Sequence, residues 1–168
     1  ADAKTLTGEM VRVGRIIFMV LALILVCFIL YGKQFVVLWA GEENLQGYYV
    51  TVILMAAYLF IYTESIGSQI LWAMNEHKEQ AILKISIVVL NIFLTVVLIR
   101  WNPLFGATIG TFLSLMAGDV VVMNIIFVKK IGIRLRYYYT HLLKGILPCL
   151  IISLCAGFFF RLLDLSGW

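Results

Sequence analysis

The chain has 168 residues, of which 63% are hydrophobic and only 13% charged, with a mean hydropathy of +1.03. That balance excludes an ordinary water-soluble globule, where about a quarter of the residues are charged. The net charge of +4 is not gathered with aromatics on a soluble face, so it does not read as a nucleic-acid interface. It lies beside apolar stretches, where it acts on topology and on anionic lipid headgroups.

The opening ADAKTLTGEM has no initiator Met and no signal-peptide pattern. The sequence reads as an internal or carboxy-terminal piece of a longer protein. Arg12 and Arg15 precede a first span expected over 13–31. The following 34–41, QFVVLWAG, is apolar but too short to cross. It is expected to form an interfacial half-turn with Trp39 in the aromatic belt.

Further spans are expected over 48–74, 81–99, 104–128 and 145–160. Each is near or above the roughly 17 residues that cross the hydrocarbon layer, the fifth being short. Peptide groups in lipid must be satisfied internally, so these spans should be helices. The alternating segments of about ten residues that a closed barrel requires are not visible. The expected fold is therefore all-α: one transmembrane domain over 1–168, a polytopic bundle of five spans.

Basic residues set the orientation. Ten of the 13 Lys and Arg fall on the amino-terminal segment and the loops after spans two and four; Lys33, Arg100 and Arg161 fall on the other side. Ten against three places the amino end in the cytoplasm. The basic stretch 129–144, with Tyr137, Tyr138 and Tyr139, reads as an amphipathic segment lying on the inner leaflet, where it sets topology or recognises lipid headgroups. Cys27, Cys149 and Cys155 sit in apolar segments and read as small buried hydrophobes.

A charged side chain within a span costs about 2.5–3.5 kcal/mol on insertion scales, so it should face protein or a water-filled cavity. Span two is richest in polar groups. Thr51, Tyr58, Tyr62, Ser65 and Gln69 recur at helical spacing, with Glu64 and Ser68 beside that stripe and Gly67 admitting a neighbour. The flank either lines a solvated cavity or makes interhelical hydrogen bonds. Glu64 is the sharpest candidate, able to carry a proton, bind a cation or pair with a basic group.

In span three, Lys84 lies near the cytoplasmic end and can snorkel, while Asn91, on one stripe with Thr95, needs a partner. In span four, Gly106, Gly110, Ser114 and Gly118 form a small-residue ridge that lets another helix pack backbone to backbone. Asp119 follows the ridge, with Asn124 five residues on; it either pairs with a basic group or faces the cavity. His77 and His141 read as loop residues without partners at metal-ligand spacing. Glu76 and Glu79 around His77 read as a solvated charge run. No nucleophile elbow or phosphate-binding glycine loop is present, so neither an enzyme, a cofactor nor a metal is expected.

The run ILWAMNEHKEQAILKISIVVLNIFLTVVLI, followed by FGATIGTFLS, resembles the carboxy-terminal half of polysaccharide flippases. These belong to the multidrug/oligosaccharidyl-lipid/polysaccharide exporter superfamily. The shared pattern is a helix ending in a small basic-acidic inner turn, a helix with a mid-span Asn, and a Gly-Ala start to the next helix. The upstream YGKQFVVLWAGEEN is similar to that family's outer loop.

The resemblance implies a two-lobed, MATE-like transporter of which this chain supplies the ninth to thirteenth of fourteen helices. It implies lipid-linked oligosaccharide as substrate, alternating access across the bacterial cytoplasmic membrane, and the remaining helices and the bilayer as partners. Glu64, Ser65, Gln69, Asn91 and Asp119 would then be candidates for the substrate pathway or ion coupling. The family's polysaccharide members often use cationic cavity residues, whereas the deep charges here are acidic. Two other functions are compatible with the residues: a cation-coupled drug antiporter of the same superfamily, and a non-transporting scaffold subunit using the glycine ridge as its interaction surface.

Overall fold

The structure, a computed structural model, describes residues 3–142 and Lys144. The expected fifth span (145–160), Cys149, Cys155 and Arg161 lie outside the described residues. The described residues are all-helical apart from short turns, and four stretches are long and apolar enough to cross a bilayer: Thr5–Ala40, Glu42–Thr63, Lys78–Leu98 and Pro103–Ile131.

Helix α1 runs unbroken over Ala3–Ala40, 38 residues. At 1.5 Å per residue it is about 57 Å long, well beyond the roughly 30 Å of a hydrocarbon core. The half-turn expected over 34–41 is therefore absent. Nothing in that stretch breaks a helix; Gly32 alone costs only about 1 kcal/mol relative to Ala. The break comes at Gly41, whose φ of 87° takes the chain into the left-handed region before the 3₁₀ turn Glu42–Asn44. Cys27, expected in the interior, lies on the outward apolar face of α1.

The second span is two helices, α2 (Gln46–Thr63) and α3 (Ser65–Ala73), separated at Glu64 (φ −91°, ψ 0°). A tight turn through Asn75, with φ 60°, leads into α4 (His77–Leu98). Helix α5 (Pro103–Leu115) starts with a strong signal: Pro103 at its first position and Asn102 Oδ1 accepting from the N–H groups of Leu104 and Phe105, each at 3.1 Å. It continues through a π-helical segment, Met116–Val122, into α6 (Met123–Ile131), which Gly132 ends in the left-handed conformation at φ 74°. A further short helix covers 135–142.

The bundle has an apolar core, but it also buries polar side chains and leaves many large apolar ones exposed. Buried positions include Thr63, Glu64, Thr108, Ser114, Asp119 and Asn124, while Ile82, Ile85, Val89, Ile92 and Phe93 of α4 point outward. Exposed apolar surface on this scale suits acyl chains rather than water. Helix α1 packs on α2, and α4 packs on α5. The fully buried side chains Met10, Leu71, Phe127 and Tyr138 join α1, α3, α6 and the 135–142 helix.

Glycines control the two closest approaches. A Cβ at Gly106 would stand 2.3 Å from the Leu98 carbonyl oxygen, and one at Gly118 2.1 Å from Ile87 Cγ1, so α5 and the π segment lie directly against α4. Gly110 meets Thr95 and the Leu94 backbone at 3.0–3.2 Å, and Ser114 is buried in the same row, its hydroxyl bonded to the Thr111 carbonyl at 2.9 Å. On the other side of the bundle, a Cβ at Gly67 would meet Phe127 at 2.6 Å and Met10 at 2.8 Å.

Candidate functional site

The site grows out of the break between α2 and α3. In a continuous helix the Gly67 N–H would bond to the Thr63 carbonyl. Here it bonds instead to the Glu64 carbonyl at 3.0 Å, which frees the Thr63 oxygen. The Tyr138 hydroxyl takes up that oxygen at 3.1 Å, buried beneath Gly14 of α1. A Cβ at Gly14 would lie 2.9 Å from the same carbonyl, so α1 can approach only because residue 14 lacks one.

The turn at Glu64 directs its side chain inward, and the residue is 4% exposed. The Tyr139 hydroxyl donates to Glu64 Oε1 at 2.5 Å. Asn124 Nδ2 lies 2.8 Å from both carboxylate oxygens and 2.6 Å from the Val120 carbonyl at the end of the π segment. The same nitrogen is 2.8 Å from the Tyr139 oxygen. Its two protons therefore serve the carboxylate and the Val120 carbonyl together, the latter also accepting from the Met123 N–H. Three elements converge on one acid: the α2–α3 break, α6 just after the π segment, and the 135–142 helix.

Burial pushes the Tyr138 and Tyr139 phenols well above their ordinary range, and the neighbouring Glu64 charge adds to it. Both therefore remain O–H donors, which is the role their hydrogen bonds require.

The segment around Tyr137, Tyr138 and Tyr139, expected on the inner leaflet, is amphipathic: Arg134, Arg136 and Tyr137 are exposed. Ile133, Tyr138 and Leu142 are buried in the bundle, and Arg15 of α1 donates from Nη2 to the His141 carbonyl at 2.8 Å. Its apolar face packs on Gly14 of α1 and on Thr63 at the end of α2. His141 belongs to this helix and not to a loop.

The polar stripe of span two runs along the outer side: Tyr58 and Tyr62, stacked at 5.7 Å, and Gln69 are exposed, and Thr51 and Ser65 are half-buried. Glu64, beside the stripe, is interior. Ser65 and Gln69 consequently make no part of the cluster around the acid.

Asp119, 7% exposed in the π segment, is ion-paired and hydrogen-bonded to Lys84 of α4, which is itself half exposed. Asn91 Oδ1 accepts from Thr95 at 3.0 Å and lies 3.4 Å from the Thr111 hydroxyl of α5, which is closer to the Ala107 carbonyl at 2.9 Å. Asn91 thus borders a shallow hollow between α4 and α5, apart from Glu64. Glu76 and Glu79 are not simply solvated: Lys130 pairs with them at 3.1 and 3.0 Å. Among the described residues no three His, Cys, Asp or Glu side chains stand close enough to hold a metal ion.

Asn124 is visible in the sequence as a polar residue in a span, but nothing there ties it to Glu64. Tyr138 and Tyr139 are masked by their basic neighbours. The one usable signal is an accounting argument: an acid within a span needs donors, and hydroxyls at a span end can supply them.

No family model, curated protein or solved structure matches this chain.

Proposed function

We propose that this chain is part of a membrane transporter of the flippase type, moving lipid-linked oligosaccharide across a bacterial cytoplasmic membrane by alternating access. The observation that carries the proposal is Glu64: a buried carboxylate where the apolar helix α2 breaks into the short α3, bonded to Asn124 just after the π segment of another apolar helix. Broken helices and irregular turns within the membrane are where transport folds form ion and substrate sites, because freed backbone groups and polar side chains meet there. The sequence resemblance to polysaccharide flippases supplies the substrate class.

In this reading Glu64 is the coupling group. With Asn124 and Tyr139 donating to it, the acid is locked and the α2–α3 break is held against α6 and the 135–142 helix. Transfer of a proton or cation to the carboxylate weakens both charge-assisted hydrogen bonds and lets the break move. The sugar headgroup passes through the polar interior of the complete protein while the polyprenyl tail stays in lipid. Asn91 and the Lys84–Asp119 pair, on the other side of the π segment, tie α4 to the same movement.

The small-residue ridge of α5 is occupied by α4, which removes the surface a scaffold subunit would offer to a partner. Transport is therefore favoured over scaffolding. The test is Glu64→Gln in the full-length protein, with glycan export measured over a range of pH and sodium. The proposal expects export to fall at least about tenfold, the loss of one charge-assisted hydrogen bond, and to lose its pH or sodium dependence. Unchanged export under all conditions removes Glu64 from the mechanism, and loss of export of small cationic compounds with intact surface glycan favours the drug antiporter.

A further inference from the structure

Away from Glu64, near the amino-terminal end of α1, Arg12 and Arg15 line an open hollow of about 420 Å³ together with Tyr137 and His141 of the 135–142 helix. Neither guanidinium has a carboxylate within ion-pair distance among the described residues; Glu9, on the same turn, pairs with neither. Arg15 is held by its bond to the His141 carbonyl, and its Nε–H is buried without an acceptor. A buried donor left unmatched in this way is costly. His141 is fixed as well: its ring stacks on Tyr137 at 3.9 Å, and its Nδ1 donates to the Tyr137 carbonyl at 3.0 Å. Two positive forks facing one space between rigid aromatic walls make a receptor for an oxyanion with several acceptor atoms.

The hollow is also the head of an apolar track. Counting from Arg12 in steps of four, four, three and four residues gives Ile16, Val20, Leu23 and Cys27, one face of α1. All four are exposed, Ile16 by 58%, Val20 by 54% and Leu23 by 51%. Positive charge at the end of an outward apolar stripe matches an amphiphile, with the anion above and the hydrocarbon alongside.

We propose that the Arg12–Arg15–Tyr137–His141 hollow binds the phosphate of an anionic phospholipid whose acyl chains lie along the Ile16–Val20–Leu23–Cys27 face. The bound lipid ties α1 to the 135–142 helix, and through Tyr138 and Tyr139 to the α2–α3 break. The inference needs only a membrane-embedded chain and stands whether or not the protein transports a glycan.

The test uses the full chain purified in mild detergent, washed with excess detergent, and assayed for retained lipid by native mass spectrometry after addition of phosphatidylglycerol. Phosphatidylglycerol is expected to remain bound to the parent protein and to fall about tenfold or more in Arg12→Gln/Arg15→Gln, each basic residue contributing to headgroup attraction. Arg134→Gln/Arg136→Gln, which removes the same charge from exposed positions nearby, is expected to leave binding unchanged. Arg15→Lys keeps the charge and a donor for the His141 carbonyl, and is expected to retain at least half of the bound lipid. Arg12→Gln alone, at an exposed position, should reduce binding in a protein that melts like the parent.

Three competitors identify the source of the phosphate. Inorganic phosphate is expected not to displace the lipid, and phosphatidylcholine is expected not to replace it. Equal retention in the parent and the double variant overturns the proposal, as does equal loss in both double variants. Displacement by inorganic phosphate would mark a soluble-anion site, and preferential exchange for a polyprenyl phosphate would mark a carrier-lipid site; either result overturns the assignment to bulk phospholipid.

Discussion

Helices α4 and α5 meet through missing side chains, whereas the α2–α3 break is held by added ones. Along α4–α5 and the π segment, Gly106, Gly110 and Gly118 permit the close approach, and the polar groups beside them, Asn91 with Thr95 and Thr111, and Lys84 with Asp119, are paired across it or within a helix. Around Glu64, the departure from regular helix creates a polar debt: a freed Thr63 carbonyl and a buried carboxylate. Tyr138, Tyr139 and Asn124 settle both. The first region is a rigid seam because its geometry allows one arrangement. In the second, the bonds from Asn124 and Tyr139 end on a single ionisable group, so loss of its charge would weaken both.

That contrast fixes how each region should fail. The seam should fail outright. Gly106→Val places a branched side chain against the Leu98 backbone, which cannot move aside as a side chain does. The expected loss is about 3 kcal/mol, the upper part of the range for overpacking, or no folded protein at all. Gly118→Ala should be milder, because the obstructing atoms belong to the Ile87 side chain and can shift; Ile87→Ala in the same chain should restore stability. Reversible unfolding in mixed micelles reads both.

The polar region should fail by degrees. Asn124→Leu leaves the Glu64 carboxylate with Tyr139 alone and is expected to cost about 2–3 kcal/mol, because the acceptor is charged and buried. This exceeds the average of about 0.6 kcal/mol for neutral interhelical bonds in membranes. An effect no larger than that neutral value would mean that Glu64 is not held as a carboxylate. Tyr138→Phe loses only the bond to the Thr63 carbonyl and should cost about 1 kcal/mol. It should also speed amide exchange at Gly67 and its neighbours, since the break is no longer pinned from outside.

The same contrast separates what the sequence discloses from what it conceals. The seam is legible: small residues every fourth position are a pattern on one helix, and the pattern needs no knowledge of its partner. The apolar rods are legible for the same reason. Glu64 stands out because an acid in an apolar stretch is costly wherever it points. Its surroundings are hidden, because they depend on backbone departures without a local signature. Neither Gly nor Pro stands at position 64, and Met116–Val122 reads as ordinary helix. Tyr58, Tyr62 and Gln69 of the polar stripe fall outside while the acid beside it falls inside, so the stripe marks a face but not the one that holds the cluster. Tyr139 lies 75 residues from Glu64, across two spans and a basic loop that favours a surface location.

The tie between Glu64 and Tyr139 is the point on which the account turns, and a double-mutant cycle measures it directly. Glu64→Gln, Tyr139→Phe and the double variant would be compared by reversible unfolding of the full chain in mixed micelles. The account predicts a coupling of about 1–2 kcal/mol, as for residues sharing one hydrogen-bond network. Effects that simply add, to within about 0.5 kcal/mol, would contradict it, because residues with no shared partner behave in that way.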